Sequence, residues 1–397
     1  MHASWQSLTT RLPPTLLPRS GGAALPLPLP SDGFVLVGGY TEDAASSAPP
    51  ARAPTGEALL VRAGWAGRPA VVARLASASP APPPRLAAAG ATAGTTAWLI
   101  GGWDPGPRGD GGVVLDDLWS VDLGEGALRA LPLRWTPHPA APLPGGPASR
   151  HAAAALPDGR IVVFTHRCGD TVLVLHTGGG RGGAPPPPPR WETVAVRPDP
   201  AAGAPPARGL ATLVALPPAS PGGDDGTATL LLFGGAPKRG GMVSDLWRLR
   251  LGGEGGGGRW ERVAGGPGGP APAPAPAAPW PAPRCSHVAA ALRGGMVVWG
   301  GSFYDAAGGL VARGDAWWWD EAGGAGWGRL APGGDAPPLP RNAAAAAAVV
   351  GEGGKEEAGL LIFGGWDPFR VTYGDSAVLW VGPGMKGERE RKENMSL

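Results

Sequence analysis

The sequence predicts an all-β repeat fold, six units of four short antiparallel strands arranged as the blades of a β-propeller. Three observations carry this. Short apolar runs ending in Gly-Gly recur at near-constant spacing; an acid followed by tryptophan comes after several of them; and a Pro/Arg-led, Ala-rich run comes before them.

The apolar runs are Phe34 to Gly39, Trp98 to Gly102, Leu230 to Gly235, Met296 to Gly301 and Leu360 to Gly365, with a sixth copy, Ile161 to Phe164, ending in Thr165-His166. The first glycine positions are 38, 101, 165 (Thr), 234, 300 and 364, so successive gaps are 63, 64, 69, 66 and 64. Each run is rich in β-branched or aromatic residues and bounded by breakers, as a buried strand is. A glycine pair at its end suits close backbone approach or positive φ.

The other elements keep step. Acid and tryptophan recur as Asp117-Leu118-Trp119, Asp245-Leu246-Trp247, Asp315-Ala316-Trp317 and, more loosely, Asp375 to Trp380. Strands opening with Trp191, Trp260 and Trp327 start 26, 26 and 27 positions beyond the diglycine site. Runs such as Pro283 to Leu292 and Ser149 to Leu156 lead into the apolar strands. The Ala-rich run at 343 to 350 has helix propensity, but Val349-Val350 and the unit spacing predict a strand there. The sixth unit lacks an outer strand of its own, and Trp5-Gln6-Ser7-Leu8 has the form of one. Residues 4 to 9 are therefore expected to complete the last blade, which removes an open sheet edge. The propeller then spans 1–385, and 386–397 is a charged tail expected to lie outside the fold.

These motifs resemble the kelch repeat of the galactose oxidase/kelch superfamily over nearly the whole chain. The resemblance implies a six-bladed propeller with an Arg-led inner strand, a diglycine second strand and tryptophans in the outer strands. Plant and algal propellers of this kind often sit behind an F-box and deliver substrates to a ubiquitin ligase. The segment before the first blade reads as too short for an F-box and no BTB-like domain is expected there, so adaptor function with ubiquitin-ligase components would need a partner chain or a longer gene product.

Composition narrows the function. Gly (69) and Pro (50) make up more than a quarter of the 397 residues, yet 43% are hydrophobic, so ordered strands and low-complexity connections should alternate. Low-complexity stretches lie at 44 to 55, 137 to 147, 178 to 190, 218 to 226, 252 to 258 and 264 to 283. They read as lengthened surface loops, and Pro185 to Pro189 is also a candidate polyproline ligand. A net charge of +2 calls for neither nucleic acid nor an acidic membrane. Two cysteines make no disulfide framework and fit the cytoplasm or nucleus. Arg11 and Arg19 without an acid in the first 31 residues leave organelle targeting open.

No catalytic or metal constellation is expected, and no cofactor. The six histidines are scattered, and His166-Arg167-Cys168 lacks further ligands. Ser286-His287 reads as part of an inner strand. With Tyr40, Tyr304 and Tyr373 the only tyrosines, a galactose oxidase-like copper site is not assembled, nor is the acid/His iron site of specifier proteins. An enzyme of either type remains the alternative to a non-catalytic protein-binding scaffold. The scaffold's candidate contacts are Trp103, Asp104, His166, Arg167, Arg239, Phe303, Tyr304, Trp366, Asp367 and Arg370, all in the loops after the second strands. Aromatic and Arg side chains on such loops are common anchors of protein recognition. Trp103 and Trp366 also have a structural reading, in which they cover blade edges and their Asp neighbours cap a turn before Pro.

Overall fold

In the computed structural model, every apolar run singled out above is the second strand of an antiparallel ladder of four. The structure describes residues 2–9, 12–13, 15–43, 51–64, 69–106, 111–178, 187–218, 227–252, 256–264, 279–321, 326–351 and 354–382. The tail 386–397, Pro185 and Pro186 of the proline run, and the stretches 44–50, 219–226 and 265–278 lie outside the described residues.

The first ladder joins Ala23–Pro26, Gly33–Val37, Ala58–Arg62 and Val71–Leu75. The second joins Ala89–Ala93, Thr96–Asp104, Val113–Asp122 and Trp135–Pro137. The third and fourth are Ala152–Ala155, Arg160–Phe164, Thr171–His176, Arg190–Arg197, and Thr212–Ala215, Ala228–Phe233, Leu246–Leu251, Gly258–Ala264. The fifth is Val288–Leu292, Gly295–Trp299, Ala316–Asp320 and Gly326–Leu330. The sixth takes Ala345–Gly351, Gly354–Phe363 and Ser376–Gly382, and its outer strand is His2–Thr9, with Trp5 opposite Leu379. The fold is all-β, 54% strand and 2% helical. Its helix among the described residues is a single turn, Glu125–Arg129. No helix among them is long and apolar enough to cross a membrane.

Burial explains the sequence pattern. Second strands are covered on both faces, so they read as unbroken apolar runs; Gly33–Val37 and Gly295–Trp299 are buried at every residue. Four of the six first strands alternate, as Ala345–Gly351 does. That Ala-rich stretch is extended because pairing with Gly354–Phe363 and burial of alternate side chains override its helix propensity. Small residues are needed there because neighbouring first strands approach closely. A Cβ on Gly90 would stand 2.6 Å from the Ala24 carbonyl oxygen of the preceding unit.

Successive ladders are tied at their inner ends by backbone hydrogen bonds that close on themselves. Gly21 N–H donates to Ala343 O, Ala343 to Ser286, Ser286 to Leu210, Leu210 to Arg150, Arg150 to Ala87, and Ala87 back to Gly21, at 2.8 to 3.0 Å. All six residues have positive φ, from 48° at Ala87 to 70° at Gly21. The circuit therefore holds five non-glycine residues in a conformation that costs each of them energy.

At the outer edge the ladders join in pairs. Ser77 bridges Leu133 between the first and second, Val196 and Arg197 pair in parallel with Gly258 and Arg259 between the third and fourth, and Ser4 and Trp5 pair with Gly333 and Gly334 between the fifth and sixth. Hydrophobic clusters fill the space between every two neighbours, sixth and first included. Tryptophans occupy the wide outer part: Trp5 lies edge-on to Trp299 at 5.7 Å, and Trp319 edge-on to Trp327 at the same centroid distance.

Candidate functional site

In each ladder the first strand starts, and the second ends, at the same side. The loops after second strands and those entering first strands therefore share one face. At its centre, the starts of all six first strands line a cavity of about 210 Å³.

A repeated buried network supports this face. Arg85, Arg208, Arg284 and Arg341 each donate Nη1 to the carbonyl of the first glycine of a diglycine (Gly101, Gly234, Gly300, Gly364) and fork onto Asp117, Asp245, Asp315 or Asp375. In the first unit Arg19 reaches Glu57 at 2.8 Å. All five arginines are at most 2% exposed. Trp119 and Trp247 donate Nε1 to the same carboxylates, both at 2.7 Å. The acid-Leu-Trp motif is thus the receiving half of an Arg clamp. Burial pushes the Asp245 and Asp315 carboxyls up, but their arginines and tryptophans outweigh it and hold both below the ordinary range.

The third unit lacks the whole network. The backbone circuit aligns Arg150 with Ala87 and Ser286, so the clamp position is Ala148, not the Arg150 that its Arg-led run suggested. Thr165 replaces the first glycine, and Cys168 fills the space, its Sγ accepting the Thr165 N–H at 3.3 Å. Burial raises the Cys168 thiol pKa, which disfavours the reactive thiolate. His287 Nε2 meets Thr212 Oγ1 at 2.8 Å, while Ser286 Oγ points to Cys285, so these neighbours are not a nucleophile and base in contact. Among the described residues no group of three His, Cys, Asp or Glu side chains is placed to hold a metal ion.

The candidate contacts fall into two sets. Trp103 and Trp366 are half-buried and held by backbone bonds to Leu86 and Asn342. Trp366 is covered by the Arg52 guanidinium at 4.9 Å and by Phe369 edge-on at 5.3 Å. Asp104 accepts the Gly106 N–H at 2.9 Å, and Asp367 lies 3.7 Å from Arg370. Phe303 is covered by Arg313 at 3.8 Å. Arg167 is exposed but folds back onto the carbonyls of Gly146 and Pro147, and half-buried His166 is held below its ordinary pKa by burial, Arg167 and Lys238.

The open set is Tyr304 at 61% exposure, with Arg239 and Arg370. Phe369, in the same loop as Trp366 and Arg370, is the most protruding aromatic of the face at 81%. It sits at φ 63°, in the left-handed region that non-glycine residues rarely adopt. Leu17, Val113, Val114, Val311, Leu339 and Val371 are exposed there too. With Tyr304 and Phe369 they make eight of the ten exposed large apolar residues described, leaving only Leu29 and Leu131 opposite. The valines and leucines carry no motif, so only the placement of strand ends reveals them.

No family model and no curated protein matches the chain. Among solved structures it is similar to one titled "Structure of YjhT", at 14% sequence identity and a TM-score of 0.59, covering 94% of this chain and 98% of that one. At that identity the likeness is one of fold.

Proposed function

We infer that the chain is a six-bladed kelch-type β-propeller that serves as a non-catalytic protein-interaction scaffold, binding through the face that carries the diglycine loops. Six ladders, a sixfold hydrogen-bond circuit and a clamp repeated in five units support the architecture. The functional reading is carried by one observation: among the described residues, eight of the ten exposed large apolar side chains lie on that face. Such clustering is costly in water and marks surfaces that are covered in use. A role as a substrate-recognition module fits the same face.

Affinity capture with the intact chain tests this. Tyr304→Ala combined with Phe369→Ala should cut recovery of a specific partner by about tenfold or more, since an interface anchor is typically worth ~2 kcal/mol. Partners recovered equally by this variant would place the binding surface elsewhere.

A further inference from the structure

We propose that the exposed segment Pro337-Pro338-Leu339-Pro340 is the ligand of a small domain in another protein, one whose aromatic-lined groove reads polyproline II helices as WW domains do. This rests on the protein-binding reading, since Leu339 is one of the eight residues that carry it, and deepens it by naming the chemistry of the partner.

The sequence dictates the conformation of this segment. Each proline fixes φ at about −65°. Ala336, Pro337 and Leu339 all precede a proline, which pushes them toward extended ψ. Together these define a polyproline II helix, with about three residues per turn and no internal hydrogen bonds. Burial follows that period. Pro337 and Pro340, one turn apart, are exposed, Leu339 is 61% exposed, and Pro338 between them is half-buried. Among the described residues no hydrogen bond uses the carbonyls of Pro337 or Pro338. Leu339 carries the only backbone N–H of the four residues, so the segment is a poor template for a β-sheet. A partner has to meet it through proline ring faces and through donors to its free carbonyls, which is what an aromatic-lined groove offers.

Comparison with the other units sets this run apart. Arg85, Arg208, Arg284 and Arg341 each donate Nε to the carbonyl two residues back, at 2.8 Å from Arg341 to Leu339, so all four leading segments enter the clamp in the same way. The residue three before the clamp arginine is buried in the other units, as Leu16, Pro82, Pro205 and Pro281, whereas its counterpart Pro338 is not. Where the second, fourth and fifth units have Pro83, Pro206 and Ala282, the sixth presents the large side chain of Leu339. Both ends of the segment are fixed. Asp335 donates its N–H to Trp5 O at 3.0 Å and accepts the Ser7 N–H at 2.9 Å, and Arg341 is held in its clamp. A ligand already held in its bound shape loses little conformational freedom on docking. Because Arg341 is only 2% exposed, recognition rests on the prolines and Leu339 and not on a flanking cation.

The test is titration of the full chain into a labelled, isolated WW domain that reads Pro-Pro-Leu-Pro, followed by fluorescence anisotropy, with an isolated SH3 domain in parallel. The WW domain should bind saturably, and Pro337→Ala with Leu339→Ala should weaken it by about tenfold or more. Both side chains are exposed, so an unchanged melting temperature is expected of that variant and checks that it folds. The intact chain should also bind more tightly than a free peptide of residues 334–342, because its segment is held at both ends. Binding unaffected by the double change, binding by the free peptide but not by the intact chain, or binding of the SH3 domain in place of the WW domain would each overturn the proposal. Tyr304→Ala with Phe369→Ala should leave the WW domain bound. If the WW domain fails to bind while capture of a partner still depends on Tyr304 and Phe369, the proposal falls and the scaffold reading stands.

Discussion

Arg208 and Asp245 meet in a bidentate ion pair from which water is almost wholly excluded, their side chains being 0% and 8% exposed. Such a pair gives little net stability over an apolar replacement, but losing one partner strands the other charge. Arg208→Ala should therefore destabilise the fold by about 3 to 5 kcal/mol in urea unfolding. The third unit indicates how to rescue it, because there the arginine, glycine and acid are replaced together. Arg208→Ala with Asp245→Thr should cost clearly less than the two single changes summed. Additive costs would mean that the pair is not what the singles disrupt.

His151 and His287 give the fold an acid limit. Both are buried, and burial is the main cause that pushes His151 down to about 4 and His287 to about 3, with nearby arginines adding to it. The folded state thus keeps them neutral, while the unfolded chain takes up protons below pH 6.5. Stability is full above that value and falls as pH drops toward the folded values. His151 alone should account for a loss of about 3 kcal/mol by pH 4. Thermal melts of wild type and His151→Gln should diverge between pH 7 and the carboxylate range. Parallel curves there would refute the assignment.

Trp5 is 4% exposed and packs edge-on against Trp299 of the neighbouring ladder. Trp5→Ala should cost about 3 to 5 kcal/mol, and deletion of residues 1–9 should lower the melting temperature further by unpairing Ser376–Gly382. A truncated chain with an unchanged melt would show that this strand is dispensable.

Trp366 and Phe369 touch but should respond differently. Trp366→Ala removes the ring that Arg52 and Phe369 cover, and should destabilise measurably in chemical unfolding, whereas Phe369→Ala should change stability by about 0.5 kcal/mol or less. The reverse order would make Trp366 the exposed anchor.

What the sequence could and could not reveal follows from how each feature is encoded. Second strands were legible because burial on both faces demands an unbroken apolar run. Their glycine pairs were legible because both residues take positive φ in all five copies, as at Gly234 (64°) and Gly235 (104°). The Arg clamp was visible only as two unrelated motifs. Its halves are 38, 32, 37, 31 and 34 residues apart, since loops of varying length separate strands that meet in space. Trp135 escaped the tryptophan spacing because the turn Glu125–Arg129 precedes it. The axial circuit has no side-chain signature at all. It is made by backbone groups, so Gly, Ala, Arg, Leu and Ser all serve.

The pairing of His2 with Gly382 has a mechanical consequence. The two ends of the described chain leave the molecule from adjacent strands at one edge, pointing the same way. Tension applied to them would load the bonds of that ladder one after another, as in a zipper, instead of shearing them all together. The molecule would then open at low pulling force, and always at the same seam.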